Sequence, residues 1–372
     1  MVAILEREYS KQAPSAMDRA FWSAAKGSTA RRVTHRRNGM RTLVFFHYFE
    51  KNETYKNNLL HFLRFGYDEA ADFNIVVSGT SSVSIPELRN LRRIEVENKN
   101  FDYGGYSAAI AATPNLQSYD AFVFVNSSMR GPYIPSYVKG PWYRSFTDCF
   151  DDGVGLVGTA INECSSADAG LYRKKYGGSG SCAHVQSTAY AMPAATMRLL
   201  LDKGFYEDRP PLDKGDVISE YELRLSQLVL QNGWNLKCLL PEYNLVDYRT
   251  GAACSNVTSR RGDPSWPFGY FGRSAHPYET MFVKTERGLF SLAYLNRLSA
   301  SMNARADIRA RDERISPSMA PFLASLDACQ RSTDLIVAEV RGNRFAENVK
   351  AARRRISRQL KGALGLQSRR RR

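Results

Sequence analysis

"AFVFVNSSMRGPY", residues 121–133, is the stretch on which the reading of the chain turns. Ala121 through Val125 is an unbroken apolar run of β-branched and aromatic side chains, and it reads as a buried strand. It stops on three small polar side chains, Asn126, Ser127 and Ser128; Arg130 and a Gly131-Pro132 turn follow. Either this is an ordinary Asn/Ser turn leading into a Gly-Pro turn, or the strand's carboxyl end holds a ligand.

Outward from this strand the pattern repeats. "RTLVFFHYF" (41–49), "FNIVVSG" (73–79), "RRIEVEN" (92–98) and "VGLVGTAIN" (154–162) read as further strands. "ETYKNNLLHFLRFG" (53–66) and "GYSAAIAAT" (105–113) read as helices between them. Strands alternating with helices predict a mainly parallel, Rossmann-like α/β sheet. In the second half, "SADAGLYRKKYGGSGSC" (166–182) is a loop by composition and "HVQSTAYAMP" (184–193) a strand. "AATMRLLLDKGF" (194–205) and "SEYELRLSQLVLQNG" (219–233) read as helices, with "NLKCLL" (235–240) a strand after them. Residues 249–275 are rich in Gly, Pro, Ser and aromatics and read as a mobile surface loop; helical spacing returns past Gly288.

At 372 residues, with 43% hydrophobic and 24% charged side chains, the chain has ample material for a core. It contains no apolar run of about 18 residues, the length a bilayer span needs. "MVAILEREYSKQ" at the start is not a signal peptide, so an intracellular, cytoplasmic protein is expected. The six cysteines form no C-x-x-C pair, which argues against a zinc or redox motif; they read as reduced and mostly structural. The formal net charge is +15, and residues 341–372 hold twelve Lys or Arg against one Glu. Charge concentrated in a tail rather than on the domain argues against a nucleic-acid binder. The organisation expected is a basic N-terminal arm (1–40), one main domain (41–290), a helical extension (291–340) and a basic helical tail (341–372).

Ligands of open α/β sheets collect beyond the carboxyl ends of the strands. Two loops meet that condition: "ENKNFDYGGY" (97–106) and the polar end of the opening stretch. Asn98, Asn100 and Asp102 offer amide and carboxylate contacts, and Gly104 and Gly105 allow close backbone approach. The plainer reading makes Asp102 a helix cap and Asn98 the end of a strand.

The order "ENKNFDYGGY", "FVNSSMRGPY", "GLVGTAIN", "HVQSTAYAM", "ELRLSQLVLQNG" resembles glycosyltransferases of the GT-A type, and most closely the rhamnan-synthesis F family. The resemblance covers roughly residues 41–287. It implies a transferase that moves a sugar from a nucleotide-sugar donor to a glycan or lipid-linked acceptor in polysaccharide biosynthesis. It implies donor contacts at Asn98, Asp102, Gly104, Asn126, Ser127, Ser128 and Arg130, and acceptor or phosphate contacts at His184, Gln186 and Lys284. The chain departs from the type at one point. Where GT-A enzymes place a D-x-D that holds Mn²⁺ or Mg²⁺, it reads Asn126-Ser127-Ser128, with no carboxylate. A metal-independent reaction is therefore favoured, with Arg130 neutralising the diphosphate; if a metal is used, Asp102 and His276 are the first ligands to consider. His184 reads equally as a structural histidine, His276 as a pre-proline turn residue, and Lys284 as a solvated side chain.

An inverting transfer needs a base for the acceptor hydroxyl. Glu220 and Glu222 are the candidates, Glu222 favoured by its place in the E-x-x-L-S-Q pattern; Ser219 and Glu222 also read as a capping box. The tail suits an anionic membrane surface, where each basic residue contributes about 1 kcal/mol, or is simply solvated. The rival reading is a degenerate, non-catalytic GT-A domain that binds glycans or scaffolds partners.

Overall fold

The computed structural model describes residues 39–164, 166–177, 182–250, 258, 263–303 and 321–328 apart from 323 and 327. Most of the N-terminal arm, most of the 304–340 segment and the whole basic tail lie outside the described residues, as do 251–257 and 259–262 of the expected surface loop. The chain divides into a unit of residues 1–40 and a unit from Arg41 onward, and the fold below belongs to the second.

Seven strands form the central sheet: β1 (Thr42–Tyr48), β2 (Asp72–Ser78), β3 (Leu91–Val96), β4 (Ala121–Asn126), β6 (Val154–Gly158), β9 (Ala189–Pro193) and β10 (Asn235–Cys238), in the order β10-β6-β9-β4-β1-β2-β3. β3, β2, β1 and β4 run parallel, as do β6 and β10, while β9 lies antiparallel between β4 and β6. This is the mainly parallel mixed α/β sheet that the strand–helix alternation predicts. All seven residues of β1 are buried, as are Ala121–Val125 of β4, because helices cover both faces. One apolar cluster, with Phe46, Phe62, Phe73 and Trp142, lies on one face; another, with Phe45, Tyr106, Phe124 and Tyr190, lies on the other.

Helix α1 (Glu53–Phe65) follows β1, its Asn52 cap accepting from Tyr55 N at 3.1 Å. Helix α2 (Phe101–Ala111) follows β3. It begins four residues earlier than its apolar spacing suggests, so Asp102 and Gly104 belong to its first turn, not to a loop. Asn100 and Phe101 reach that turn through left-handed backbone (φ 53° and 56°), a conformation uncommon for side chains with a Cβ. The turn then passes so close to the helix that a Cβ on Gly104 would collide with the Lys99 carbonyl.

The expected strand 154–162 is two strands, β6 and β7 (Ile161–Glu163), and the expected strand 184–193 is β8 (Ala183–Val185) and β9. β7 and β8 leave the sheet as a separate antiparallel ribbon. The ribbon crosses close over β6, where a Cβ on Gly158 would strike Val185. The segment read as a loop begins as helix α3 (Ser166–Tyr176). Its Ala169 and Tyr172 are buried with Cys182 and Leu223, and Tyr176 packs beside them. That is helical spacing, masked in composition by the lysines and glycines around it.

Helix α4 is Ala194–Asp202, and α5 runs through Lys214–Val217, Ile218–Leu223 and Arg224–Gln231 with a π-helical middle. Its cap is Asp213, which accepts from Asp216 N at 2.8 Å. Ser219 thus lies inside the helix and is not the cap of a Ser219–Glu222 box. A last ribbon pairs β5 (Met129–Arg130) with β11 (Val283–Lys284), ahead of helix α6 (Leu292–Asn303). No described helix is long and apolar enough to cross a membrane.

Candidate functional site

Asp102 and Asn126 meet where the parallel strands end. Asn126 Nδ2 donates to Asp102 Oδ2 at 2.9 Å. The other side of the amide is also fixed: Asn126 Oδ1 accepts from Ser128 N at 3.1 Å and Ser128 Oγ at 2.6 Å. The polar cluster that halts the strand is therefore a tight turn with its free edge turned to Asp102. Burial pushes the Asp102 carboxyl up to about 6, against the Asn126 hydrogen bond; Glu222 raises it further and Lys284 lowers it. Asp102 lies in the first turn of an eleven-residue helix, where the amide dipoles add a positive field.

Lys284 arrives through β11, paired opposite Met129, while Thr285 N donates to Ser128 O at 3.1 Å. Burial lowers its ammonium pKa, and Arg287 lowers it further; Glu222, Asp102 and Asp263 act the other way. Among the described residues its Nζ has no hydrogen-bond or ion-pair partner.

Glu222 comes from the π-helical part of α5, with its Oε1 3.7 Å from His184 Nε2. Two further contacts set that relation. Val185 N donates to Ser226 Oγ at 2.9 Å, and Gln227 Nε2 donates to Ala183 O at 3.0 Å. The Ser and Gln of "LSQ" thus pin the strand bearing His184 to the helix bearing Glu222. Gln186 is buried beside this ribbon, its N donating to Ala160 O at 3.0 Å. With Lys284, Met129 and Arg287 it lines a cleft.

Other expected site residues go elsewhere. Arg130 is 2% exposed, and its Nε and Nη1 donate to Asn58 Oδ1 at 2.9 Å and Asn296 Oδ1 at 2.6 Å. It is an internal tie between α1, β5 and α6, not the cation beside Asp102. Ser127, also buried, accepts from Phe49 N at 3.2 Å and ties the turn to the end of β1. Asn98 is exposed and Asn100 buried; the Asn100 amide holds Arg209 O, Pro210 O and Leu212 N. Glu220 faces Lys175 at 2.6 Å, Arg209 at 2.9 Å and Arg224 at 3.6 Å. Burial pushes its carboxyl up, but hydrogen bonds from Lys175, Tyr176 and Arg209 outweigh that and hold it below the usual range. A carboxylate saturated by three cations is a poor proton acceptor.

His276 caps a short helical turn, Pro277–Thr280, in a capping box with Glu279. Its Nδ1 accepts from Tyr278 N at 3.1 Å, so Nε2 carries the proton and donates to Tyr294 OH at 2.7 Å. The turn-residue reading describes it; both ring nitrogens are engaged. No group of three or more His, Cys, Asp or Glu among the described residues is arranged to hold a metal ion. Asn126 bonds to the Asp102 carboxylate, and among the described residues no D-x-D-like shell forms there.

Asn58 was missed as a sequence candidate. It is fully buried, accepts from Arg130, and donates to Ser127 O at 2.9 Å and Thr285 Oγ1 at 3.0 Å, joining the strand-end turn to the Lys284 segment. The available signal was a polar residue on the apolar face of α1, three after Tyr55 and four before Phe62.

No family model matches the sequence, and no curated protein matches it. Among solved structures, the chain is similar to the bifunctional glycosyltransferase WbbM in its apo form, at 12% identity and TM-score 0.30, covering 55% of this chain and 39% of that one. It is similar to the mannosyltransferase PcManGT of Pyrobaculum calidifontis, solved with GDP-Man and Mn²⁺, at 12% identity and TM-score 0.35, covering 83% and 86%. It is also similar to the galactosyltransferase LgtC, solved with donor and acceptor sugar analogs, at 11% identity and TM-score 0.33, covering 73% and 99%. The match thus spans well under half of WbbM.

Proposed function

We propose that this chain is a GT-A-type glycosyltransferase that moves a sugar from a nucleotide-sugar donor to a glycan or lipid-linked saccharide acceptor in polysaccharide biosynthesis. The observation that carries the reading is one cluster at the carboxyl ends of the parallel strands. There Asp102, locked to Asn126, shares its electrostatic field with Glu222 and Lys284. An ammonium in the field of that turn suits a diphosphate, and a carboxylate close by suits proton abstraction.

In this reading Asp102, Asn126 and Ser128 hold the donor, with Gly104 keeping the turn close to the helix. Lys284, not Arg130, faces the diphosphate and stabilises the charge that builds on it as the glycosidic C–O bond breaks. Glu222 takes the proton of the acceptor hydroxyl as its oxygen attacks the anomeric carbon, with His184 standing beside the Glu222 carboxylate. A divalent ion in the site would rest on Asp102 and the donor's own phosphates; the residues present do not make a full shell, and no step is routed through one. The tail of residues 341–372 would keep the enzyme near an anionic membrane surface on the cytoplasmic side.

The missing D-x-D favours a second reading, a degenerate domain that binds a nucleotide-sugar or glycan without turnover. A panel of nucleotide-sugars tested by thermal shift, with and without Mn²⁺, followed by assay of nucleotide release with saccharide acceptors, separates the two. Binding with release supports the transferase, binding without release supports the degenerate domain, and no binding to any donor defeats the transferase.

A further inference from the structure

Cys164 and Cys182 stand at the two sides of α3 and meet across the ribbon that carries His184. In the β7–β8 pair Ile161 lies opposite Val185, Asn162 opposite His184 and Glu163 opposite Ala183. One step further in this register sets Cys164 opposite Cys182. Directly opposed residues of antiparallel strands lie about 4.5–5.5 Å apart at Cα, inside the range of about 4.4–6.8 Å that a disulfide spans. The side chains meet too. A hydrogen bond from Cys164 holds the Cys182 thiol down to about 7, with burial opposing and Arg173 assisting. Cys164 Sγ lies 3.6 Å from His184 Nδ1. Cys182 is buried, whereas Cys164 keeps partial access to solvent, and both are thiols here.

We propose that Cys164 and Cys182 are a modification site: a thiol pair, opposed across the β7–β8 ribbon beside His184, that closes to a reversible disulfide when a peroxide reaches it. The Cys182 thiolate, stabilised by the Cys164 S–H, attacks one oxygen of hydrogen peroxide, the O–O bond breaks, and the second oxygen leaves as water after taking up a proton. The product is a sulfenic acid on Cys182. The Cys164 sulfur, giving up its proton, then attacks that sulfur, the S–O bond breaks and a second water leaves. Two thiols have lost their protons and one electron pair, and one peroxide has become two waters. The bond would close the excursion containing α3 at its neck and replace the thiol beside His184 Nδ1.

The other described cysteines differ in kind. Burial pushes the Cys149 thiol up, and burial pushes Cys238 up to about 12, with its Sγ donating to Leu240 O at 3.4 Å. A protonated, buried thiol reacts slowly.

The test uses the full chain treated with a small excess of hydrogen peroxide, alkylated, digested and read by mass spectrometry. The expected result is a peptide pair joined through Cys164 and Cys182, lost on treatment with dithiothreitol, while Cys149 and Cys238 remain alkylated. A Cys164→Ser protein with an unchanged circular dichroism spectrum should give no joined pair. The proposal is overturned if both thiols stay alkylatable, if they oxidise to sulfinic acid without joining, or if either joins a different cysteine instead.

Discussion

Asn126 Nδ2 and Asp102 Oδ2 are 2.9 Å apart, and that single hydrogen bond joins the end of β4 to the first turn of the helix that precedes it. It fixes the carboxylate at the strand ends while leaving it in a poorly solvated place, with a pKa raised to about 6. Donor affinity should therefore depend on the carboxylate, and Asp102→Ala should weaken nucleotide-sugar binding about tenfold or more, the loss expected for one charge-assisted contact. Calorimetry with the donor found in the panel checks this; unchanged affinity in a folded variant leaves Asp102 a structural partner of Asn126.

The same carboxylate sets a pH signature. Its folded pKa is raised from 3.8 to about 6, so the stability it adds is present below pH 3.8 and is lost as pH rises through about 6. Asp102→Asn should then stabilise the protein at pH 7.5 by about 1–2 kcal/mol, after allowance for its partial exposure, with the gain shrinking toward pH 4. Urea unfolding at both pH values measures it; a variant less stable than the parent at pH 7.5 contradicts it.

Two buried histidines act in the opposite sense. His47, with Nε2 2.7 Å from Ser78 Oγ, and His61, 3.0 Å from Ser299 Oγ, are each lowered by burial from 6.5 to about 3. Their neutral forms support the fold above pH 6.5, and that support is lost as pH falls toward 3. Below pH 6 each should cost up to about 1.4 kcal/mol per pH unit, partly offset by Asp102. Denaturant midpoints between pH 7.5 and 5 should fall accordingly; a flat profile would count against both assignments.

Glu222 and Glu220 should separate cleanly. Glu222→Gln should lower kcat about a hundredfold or more with donor affinity little changed, as removal of a general base does. Glu220→Gln should mainly loosen the cluster of Lys175, Arg209 and Arg224 and lower Tm. Steady-state kinetics beside thermal denaturation reads both; turnover that survives Glu222→Gln but not Glu220→Gln would reverse the roles.

Arg130→Ala should lower stability rather than act on the chemistry. It leaves Asn58 Oδ1 and Asn296 Oδ1 without their donor and opens a cavity, a loss of about 2–4 kcal/mol. Lys284→Ala should instead weaken donor binding with little loss of Tm. Should Arg130→Ala retain its stability yet lose donor affinity, the guanidinium rather than Lys284 would be the phosphate ligand.

The parallel part of the sheet was legible in the residues alone. Runs such as Phe122–Val125 and Leu43–Phe46 are apolar without alternation, and only burial on both faces explains them; their order with the helices between predicts the parallel half. The sequence also marked the strand ends, because Asn126 closes one strand and Asp102 lies just beyond another. It did not determine which way side chains turn after that point. Arg130 reads as the cation for the diphosphate two residues beyond Ser128, yet pairing of Met129–Arg130 with Val283–Lys284 sends the guanidinium inward to Asn58 and leaves Lys284 by the cleft. Glu220 and Glu222 are equivalent in composition, but two positions along a helix turn a side chain through a large angle. One meets Lys175, the other His184. The break of 184–193 into two strands likewise followed from β8 crossing over Gly158, a contact between residues distant in sequence. Local periodicity records which residues are buried; the direction of a charge at a strand end depends on partners brought in from 70 to more than 160 residues away, such as Asn58 and Asn296 for Arg130. Only the tertiary structure supplies them.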